Sequence, residues 1–223
     1  MYSKKDKLII LKGYLGTFIP DDVLRVDFVT RKVAVSKDKW GLFCNCREAV
    51  KNMISRIDNY IVFSSNPLFL KFFAASVLLD FKLQGSGGFI DFDLIKSYDL
   101  VEAFLGTSEE FEGSSFYNIS GKSLLFVYNF ADTVVNKRLP DFLSNLASVR
   151  GFDSKKTIIL TESEIIKDDK DNLSRGQSIV NILPNFKYIN LDRVFSKFLD
   201  NMSVAPKAKD GSNIYTSPKE ALV

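Results

Sequence analysis

Short apolar runs alternate with helical segments through most of this chain, and this alternation is the feature that most limits its fold. The clearest runs are Tyr60–Phe63, Leu124–Tyr128, Thr157–Leu160 and Tyr188–Leu191. Short strands that are continuously apolar usually lie inside a parallel sheet with both faces covered. Strands that alternate with helices are joined by right-handed crossovers. The sequence therefore predicts an α/β fold of three layers, built on a parallel sheet.

The helical segments are indicated by apolar residues that recur at steps of three and four. The predicted helices are 45–58, Pro67–Leu83, Leu94–Leu105, Asp141–Val149, Leu173–Leu183 and Val194–Met202. Asn45 is the expected cap of the first, with Glu48 as its capping-box partner. A turn at Gly85–Gly88 and a strand at Phe89–Phe92 complete the predicted core.

The first 43 residues have a different pattern, in which glycine and proline separate short β segments. The predicted segments are Leu8–Leu11, Val23–Val29 and Lys32–Val35. At the other end, the last residues are rich in proline, serine, glycine and lysine, as flexible tails are. We therefore predict a small N-terminal β module at 1–43, an α/β core at 44–202 and a flexible tail at 203–223.

Composition excludes several classes of chemistry. The chain has no histidine, which removes histidine bases, Ser–His and Cys–His nucleophile pairs and histidine metal ligands. Its two cysteines, Cys44 and Cys46, are too few for a usual zinc site and too close together to staple the fold. They indicate a reducing compartment, so we expect a cytoplasmic protein that binds no metal.

Neither charge nor hydropathy points to a particular partner. The net charge is +3, from 30 basic and 27 acidic residues, which does not by itself predict nucleic-acid binding. The most apolar stretch, Tyr60–Phe81, contains Ser64, Asn66, Lys71 and Asp80 and is a poor candidate for a membrane span. We expect no interaction with a membrane.

The junction after the first core strand has the layout of a phosphate-binding loop. Such loops follow the pattern G-x-x-x-x-G-K-[ST], in which backbone N–H groups cradle the phosphates. In this register Ser65 and Leu70 stand at the two glycines, Lys71 at the lysine and Phe72 at the magnesium-binding hydroxyl. Only Lys71 is retained. A lone helical lysine is more often a solvated surface residue.

Later strands carry the other expected positions of a nucleotide-hydrolysing fold, again with altered residues. Such folds end a buried strand in two acids, where this chain has Tyr128 and Asn129. The segment KTIILTESE resembles the sensor strand of ATPases, with Thr161 kept and Glu162 or Ser163 at the usual asparagine. The missing acids remove the metal ligand and the polarising group that phosphoryl transfer needs.

The order of segments from about 45 to 195 resembles the bacterial replicative-helicase loaders, a branch of the AAA+ ATPases. GGFIDFDLIKSYD is similar to the family's second strand and helix, and NLSRGQSIVNILPNFKYINL to its closing segment. The resemblance implies a degenerate ATPase domain that is not an enzyme and holds no cofactor. It also implies a replicative helicase or another replisome AAA+ protein as partner, together with single-stranded DNA.

Five residues are the candidates for contact with a ligand or partner. The resemblance puts Arg175 at the family's inter-subunit arginine, and it makes Lys71 and Arg150 the other basic residues to test. Trp40 with Lys39 is a candidate stacking platform for single-stranded nucleic acid. The favoured alternative for Trp40 is an aromatic anchor between the N-terminal module and the core.

Three other functions remain open at this stage. A structural subunit of the clamp-loader type also carries a nucleotide fold without a working loop, although no helical collar is evident after residue 202. An inhibitor that mimics the loader would use the same surface. An enzyme with a small-molecule pocket at the carboxyl ends of the strands has no supporting set of residues.

Overall fold

The computed structural model of the protein describes residues 2–51, 53–54, 58–84, 92–96, 121–128, 146–151, 155–162 and 186–196. The chain divides by its contacts into two units. The N-terminal unit comprises Met1–Ile54, Lys71–Phe89 and Arg193–Val223. The sheet unit comprises Ser55–Leu70 and Ile90–Asp192. Whether residues 1–43 form a module of their own stays a prediction.

The chain begins with helix α1, Lys4–Leu15, so the strand predicted at Leu8–Leu11 is wrong. A capping box explains the difference. The Ser3 hydroxyl accepts a hydrogen bond from the Asp6 N–H at 3.1 Å, and the Asp6 carboxylate accepts one from the Ser3 N–H. Serine followed three residues later by an acid, just before an apolar run, signals a helix start.

A two-stranded antiparallel hairpin follows α1; its second strand has the predicted bounds, whereas the first is shorter than the predicted Val23–Val29. Its strands are β1, Leu24–Asp27, and β2, Lys32–Val35, with Leu24 opposite Val35 and Asp27 opposite Lys32. The Asp27 carboxylate closes the turn by accepting hydrogen bonds from the backbone N–H groups of Val29 and Thr30, both at 3.0 Å. Short aspartate side chains stabilise turns in this way.

Helix α2 covers Lys37–Lys51, which corrects the predicted helix at 45–58. The helix starts eight residues earlier than predicted, and the Ser36 carbonyl accepts its first hydrogen bond, from the Trp40 N–H at 2.9 Å. Gly41, which suggested a break, lies within the helix. The apolar stripe that predicts the helix continues backward through Trp40 and Phe43.

An aromatic cluster forms the core of the N-terminal unit. The Phe43 ring lies 5.4 Å from the Trp40 ring and 5.2 Å from the Phe72 ring, centroid to centroid, in tilted arrangements. Phe43 and Phe72 are fully buried and Trp40 nearly so. These distances are within the range that favours aromatic pairs. The cluster therefore joins α2 to the helix that carries Phe72.

The sheet unit is built on a five-stranded parallel sheet. Its strands along the chain are β3, Asn59–Phe63; β4, Phe92–Lys96; β5, Leu124–Tyr128; β6, Lys156–Thr161; and β7, Phe186–Asn190. Helix α3, Pro67–Gln84, follows β3, and its first residues, up to Leu70, also belong to this unit. In space the strands follow the order β4-β5-β6-β3-β7. All four neighbouring pairs are parallel.

The central strands are covered on both faces. Every residue of β6 is buried, as are four of the five residues of β3 and of β5. This burial explains why those strands are continuous apolar runs in the sequence. The predicted α/β fold on a parallel sheet is confirmed.

Strand β4 lies later in the chain than predicted. The predicted strand was Phe89–Phe92 and the predicted helix Leu94–Leu105, but Phe92–Lys96 is a strand that pairs with β5 from Leu124 to Tyr128. Leu94–Lys96 is therefore not helical. Pairing with a buried neighbour outweighs a helical pattern that is only partial, as tertiary context often does.

Other predicted elements are described in part. Residues 146–151 are helical and overlap the end of the predicted helix Asp141–Val149. Residues 191–196 are helical and overlap the start of the predicted helix Val194–Met202. Gly85–Gly88, Leu173–Leu183 and the tail at 203–223 lie outside the described residues. Within the part of the chain that the structure describes, no helix is long and apolar enough to cross a membrane.

We predict that Phe43→Ala lowers the free energy of unfolding by about 3–5 kcal/mol, because it leaves a cavity between Trp40 and Phe72. Urea unfolding followed by the fluorescence of Trp40, the only tryptophan, measures the change. Phe28→Ala is the matched control, since the Phe28 side chain is 57% exposed. Equal losses from the two variants would contradict the proposed core.

Candidate functional site

The connections of the sheet place a topological switch point between β3 and β6. From β3 the chain goes to β4 at one edge of the sheet, whereas from β6 it passes over to β7 at the opposite edge. In open α/β sheets, ligands bind in the crevice outside the carboxyl ends of the strands at such a point. The residues after β3, β6 and β7 are therefore where a ligand would be expected.

The link between β3 and α3 consists of only three residues, Ser64, Ser65 and Asn66. Asn66 caps the helix, because its side-chain oxygen accepts the Leu68 N–H and its carbonyl accepts the Phe69 N–H, both at 3.0 Å. The Asn66 N–H in turn donates to the Ser64 hydroxyl oxygen at 3.1 Å. These backbone donors, which a phosphate-binding loop would offer to a ligand, are used within the link.

Asp192, which follows β7, takes up further donors of the same link. Its carboxylate accepts the Ser64 hydroxyl at 2.6 Å and the Ser65 backbone N–H at 2.9 Å. The Ser64 N–H donates to the Thr161 carbonyl at the end of β6. A carboxylate of the chain itself thus occupies the position where an anionic ligand would be bound. We name Ser64, Ser65 and Asp192 the Asp192 lock.

The hydrogen bonds of the Asp192 lock control the ionisation of the carboxyl. Partial burial acts to raise the pKa of Asp192, but the hydrogen bonds from Ser64 and Ser65 outweigh it, and the pKa is lowered. Hydrogen bonds to the charged form have this effect. Asp192 is accordingly ionised near neutral pH.

Asp192 is not among the residues predicted from the sequence, although a signal for it is present there. An acid that directly follows the last strand, and stands in the first turn of helical residues 191–196, combines two features of a site at the carboxyl edge. Its partner Ser64 lies 128 positions away. Only the strand order shows that β7 lies beside β3, so this contact could not be read from the sequence.

The residues at the predicted loop positions are not arranged as a cradle. Helix α3 begins at Pro67, so Leu70 and Lys71 are already within the helix. Leu70 and Phe72, which stand at the second glycine and at the hydroxyl, are fully buried. Ser65, at the first glycine, is exposed and is held by Asp192. The loop positions are therefore occupied by core and capping residues.

Two of the predicted basic residues act on the same acid. Lys39 is exposed and makes an ion pair and hydrogen bond with Asp22. The Lys39 hydrogen bond is the main reason that the pKa of Asp22 is lowered, and the charge of Lys71 adds a smaller contribution. Lys71 itself is half-buried on α3. Asp22 therefore offsets part of the positive charge that was predicted to attract a ligand.

At the end of β5, Tyr128 stands at a position where such folds have an acid. The Tyr128 hydroxyl donates a hydrogen bond to Glu162 Oε1 at 2.7 Å, linking the carboxyl ends of β5 and β6. Thr161 beside them is buried. Asn129 lies outside the described residues. Among the residues that the structure describes, no group of three or more potential ligands could hold a metal ion.

Arg150 is an internal residue in this structure. Its side chain is fully buried, Nε donates to Thr157 Oγ1 at 3.0 Å, and Nη2 donates to the Lys156 carbonyl at 2.5 Å. Burial lowers the pKa of Arg150 to about 10. These contacts attach helical residues 146–151 to the start of β6. The guanidinium therefore has a structural role and offers no exposed surface to a partner.

Trp40 is buried in the aromatic cluster and does not present its ring as an exposed stacking platform. Only 7% of its surface is exposed, and its ring packs on Phe43. A base could not stack on it without opening the aromatic cluster. The alternative that the sequence analysis favoured, an aromatic anchor, agrees with this burial. Arg175 lies outside the described residues, and its role stays a prediction.

Solved structures that the chain resembles include bacterial replication initiators. Domain III of the replication initiation protein DnaA from Thermotoga maritima is 12% identical, with a TM-score of 0.48 over 75% of this chain and 70% of that one. AMPPCP-bound DnaA from Aquifex aeolicus is 12% identical, with a TM-score of 0.46 over 87% of this chain and 59% of that one. No protein-family model and no curated protein matches the sequence.

A third solved structure is the replication initiator DnaA bound to AMPPCP and single-stranded DNA. It is 13% identical to this chain, with a TM-score of 0.45 over 74% of this chain and 52% of that one. The chain thus spans little more than half the length of two of these three proteins.

We predict that Asp192→Asn lowers the free energy of unfolding at about pH 7 by about 1 kcal/mol, through weaker hydrogen bonds from Ser64 and Ser65. The folded-state pKa of Asp192 lies below the unfolded value of ~3.9. Its stabilising contribution is therefore complete above about pH 4 and is lost as the pH falls through the folded-state pKa.

Urea titrations of the native protein and Asp192→Asn at about pH 7 and about pH 3 test this dependence. The difference between the two proteins should shrink at the lower pH. Ser64→Ala removes one donor and should weaken the same pH dependence. A difference that is equal at both pH values would show that Asp192 does not act through its charge.

Proposed function

We propose that this protein is a non-catalytic accessory protein of DNA replication. It binds the replicative helicase, or a companion loader, through an ATPase-like fold that lacks a working phosphate-binding loop. The replication setting rests on the resemblance of the segments from about 45 to 195 to the helicase loaders. The non-catalytic role is carried by one observation, the Asp192 lock at the switch point.

Phosphoryl transfer depends on positioning and on electrostatic stabilisation, and two of the required parts are replaced here. The loop that would hold the phosphates is a three-residue link, in which the Ser65 N–H donates to Asp192 and the Asn66 N–H donates to the Ser64 hydroxyl. The Asp192 carboxylate would repel a phosphate at this edge. The acid expected at the end of β5 is Tyr128, which is hydrogen-bonded to Glu162. These replacements favour a fold that serves as a scaffold and needs no cofactor.

A fold without a working site can be retained for the surfaces it presents. In this proposal the sheet unit positions such surfaces, and the Asp192 lock fixes the edge of the sheet without a nucleotide. Binding to the partner then does not depend on ATP held by this chain. A structural subunit of the clamp-loader type and an inhibitor that mimics the loader remain the alternatives, because both use the same kind of fold.

We predict that the purified protein forms a complex with the replicative helicase of its own source, and that MgATP bound by this chain is not required. Size-exclusion chromatography of the two purified proteins, with and without MgATP, measures complex formation. A helicase variant that cannot bind ATP separates the helicase's own nucleotide dependence from that of this chain. The same elution with both helicase forms is the expected result.

Two outcomes would count against the proposal. A complex with purified clamp-loader subunits and none with the helicase would favour the clamp-loader alternative. A complex with the helicase that forms only when this chain binds MgATP, and is lost in Lys71→Ala, would contradict the non-catalytic role. Helicase loading onto single-stranded DNA then distinguishes an activator from an inhibitor, since only the activator increases it.

A further inference from the structure

A groove of about 960 Å³ lies in the N-terminal unit, between the first half of α1 and the β1–β2 hairpin. Its cationic lining consists of Lys4 and Lys5 from α1, Arg25 from β1 and Lys32 from β2. Leu8 and the rest of β2 provide the apolar part of the wall. None of these residues belongs to the switch point of the sheet, so the groove is a separate feature.

The positive charge of the groove is largely uncompensated. Lys4, Lys5 and Lys32 are exposed, and none of them makes an ion pair within the described ranges of the chain. Asp27 is the only acid among the described lining residues, and its carboxylate is held by Val29 and Thr30 in the hairpin turn. The groove therefore favours an acidic occupant.

One wall of the groove is a strand with an open edge. Strand β2 pairs with β1, and no other described residue pairs with it. All four of its residues line the groove. Successive side chains of a strand point to opposite faces of its sheet. Since four consecutive residues of β2 line the groove, the groove runs along β2 and does not lie over one face of the hairpin. An open edge carries backbone N–H and C=O groups that can pair with an added strand.

The lining favours a peptide over single-stranded nucleic acid. Proteins that bind single strands combine a basic groove with aromatic side chains on which the bases stack. None of the described lining residues is aromatic. The apolar ones are aliphatic, and they suit the aliphatic side chains of an extended peptide. A strand edge adds backbone pairing, which supplies affinity when a peptide joins a sheet.

We propose that the groove binds an acidic, extended peptide segment of a partner protein, which adds to β2 as a third strand. Its carboxylates face Lys4, Lys5 and Lys32, and its alternate aliphatic side chains contact Leu8 and β2. The ladder can be short, because β2 has four residues. This inference does not rest on the proposed role in replication, since it uses residues outside the sheet unit.

The test uses the whole chain and a fluorescein-labelled peptide of alternating aspartate and valine. Fluorescence anisotropy should show saturable binding that weakens as salt is added, because the charges are exposed. Lys32→Glu should weaken binding by roughly tenfold, through the loss of one attraction and the gain of one repulsion. Circular dichroism confirms that the variant is folded.

Lys51→Glu is the matched control. Lys51 is also an exposed lysine of the N-terminal unit, but it ends α2, about 20 Å along that helix from its start beside β2. This distance exceeds the screening length of ~8 Å at physiological salt. Binding to Lys51→Glu should stay within about twofold of the native protein. Equal weakening by Lys32→Glu and Lys51→Glu would overturn the assignment of the groove.

Two other probes test the chemistry of the occupant. The same peptide with alternate N-methylated backbone amides cannot form a full ladder, so we expect it to bind at least several-fold more weakly. Equal binding of the methylated peptide would overturn strand addition. Labelled oligothymidylate should bind more weakly than the peptide. Tighter binding of the oligonucleotide, lost in Lys32→Glu, would overturn the peptide in favour of single-stranded nucleic acid.

Discussion

The hydrogen bonds that the Asp192 carboxylate accepts from Ser64 and Ser65 are the interaction on which the functional account depends. In a parallel sheet with this strand order, the ends of β3 and β6 form the edge at which ligands bind. Ser64 at that edge is buried, and a buried polar group left without a partner is costly, so its hydroxyl needs an acceptor. Here Asp192 accepts from Ser64 and Ser65, and its lowered pKa keeps it charged. Two donors at this edge therefore have an acceptor within the chain itself.

Because of this arrangement, the surfaces of the molecule are better candidates for binding than the sheet edge. Phosphate binding at the edge would have to displace an anion that the chain itself provides, at a site without the usual glycines and acids. The groove along β2 has the opposite character, with lysines that lack acidic partners among the described residues and an open strand edge. Among the described residues, the donors Ser64 and Ser65 are thus bound by Asp192 at the sheet edge, whereas Lys4, Lys5 and Lys32 of the groove make no ion pair.

The sequence predicts the sheet well, because buried parallel strands are continuous apolar runs that need no partner information. It fails where local signals compete. Four consecutive apolar residues from Leu8 to Leu11 suggested a strand, although the Ser3–Asp6 capping box marks a helix. Leu94–Lys96 suggested a helix, but pairing with β5 makes it a strand.

Of the candidate site, only the missing residues could be predicted from the sequence. The absence of the loop glycines and of the acids is visible in the sequence, and it directs attention to the link after β3. That Asp192 fills this position depends on β7 lying beside β3, a contact across 128 positions. Arg150 shows the same limit, because its burial follows from packing and not from local pattern. The most direct test of the account is the NMR chemical shift of the Ser65 amide during titration with MgATP at neutral pH. The account predicts no change with MgATP, together with a shift on acidification as Asp192 becomes protonated. A saturable change with MgATP that Lys71→Ala abolishes would contradict it.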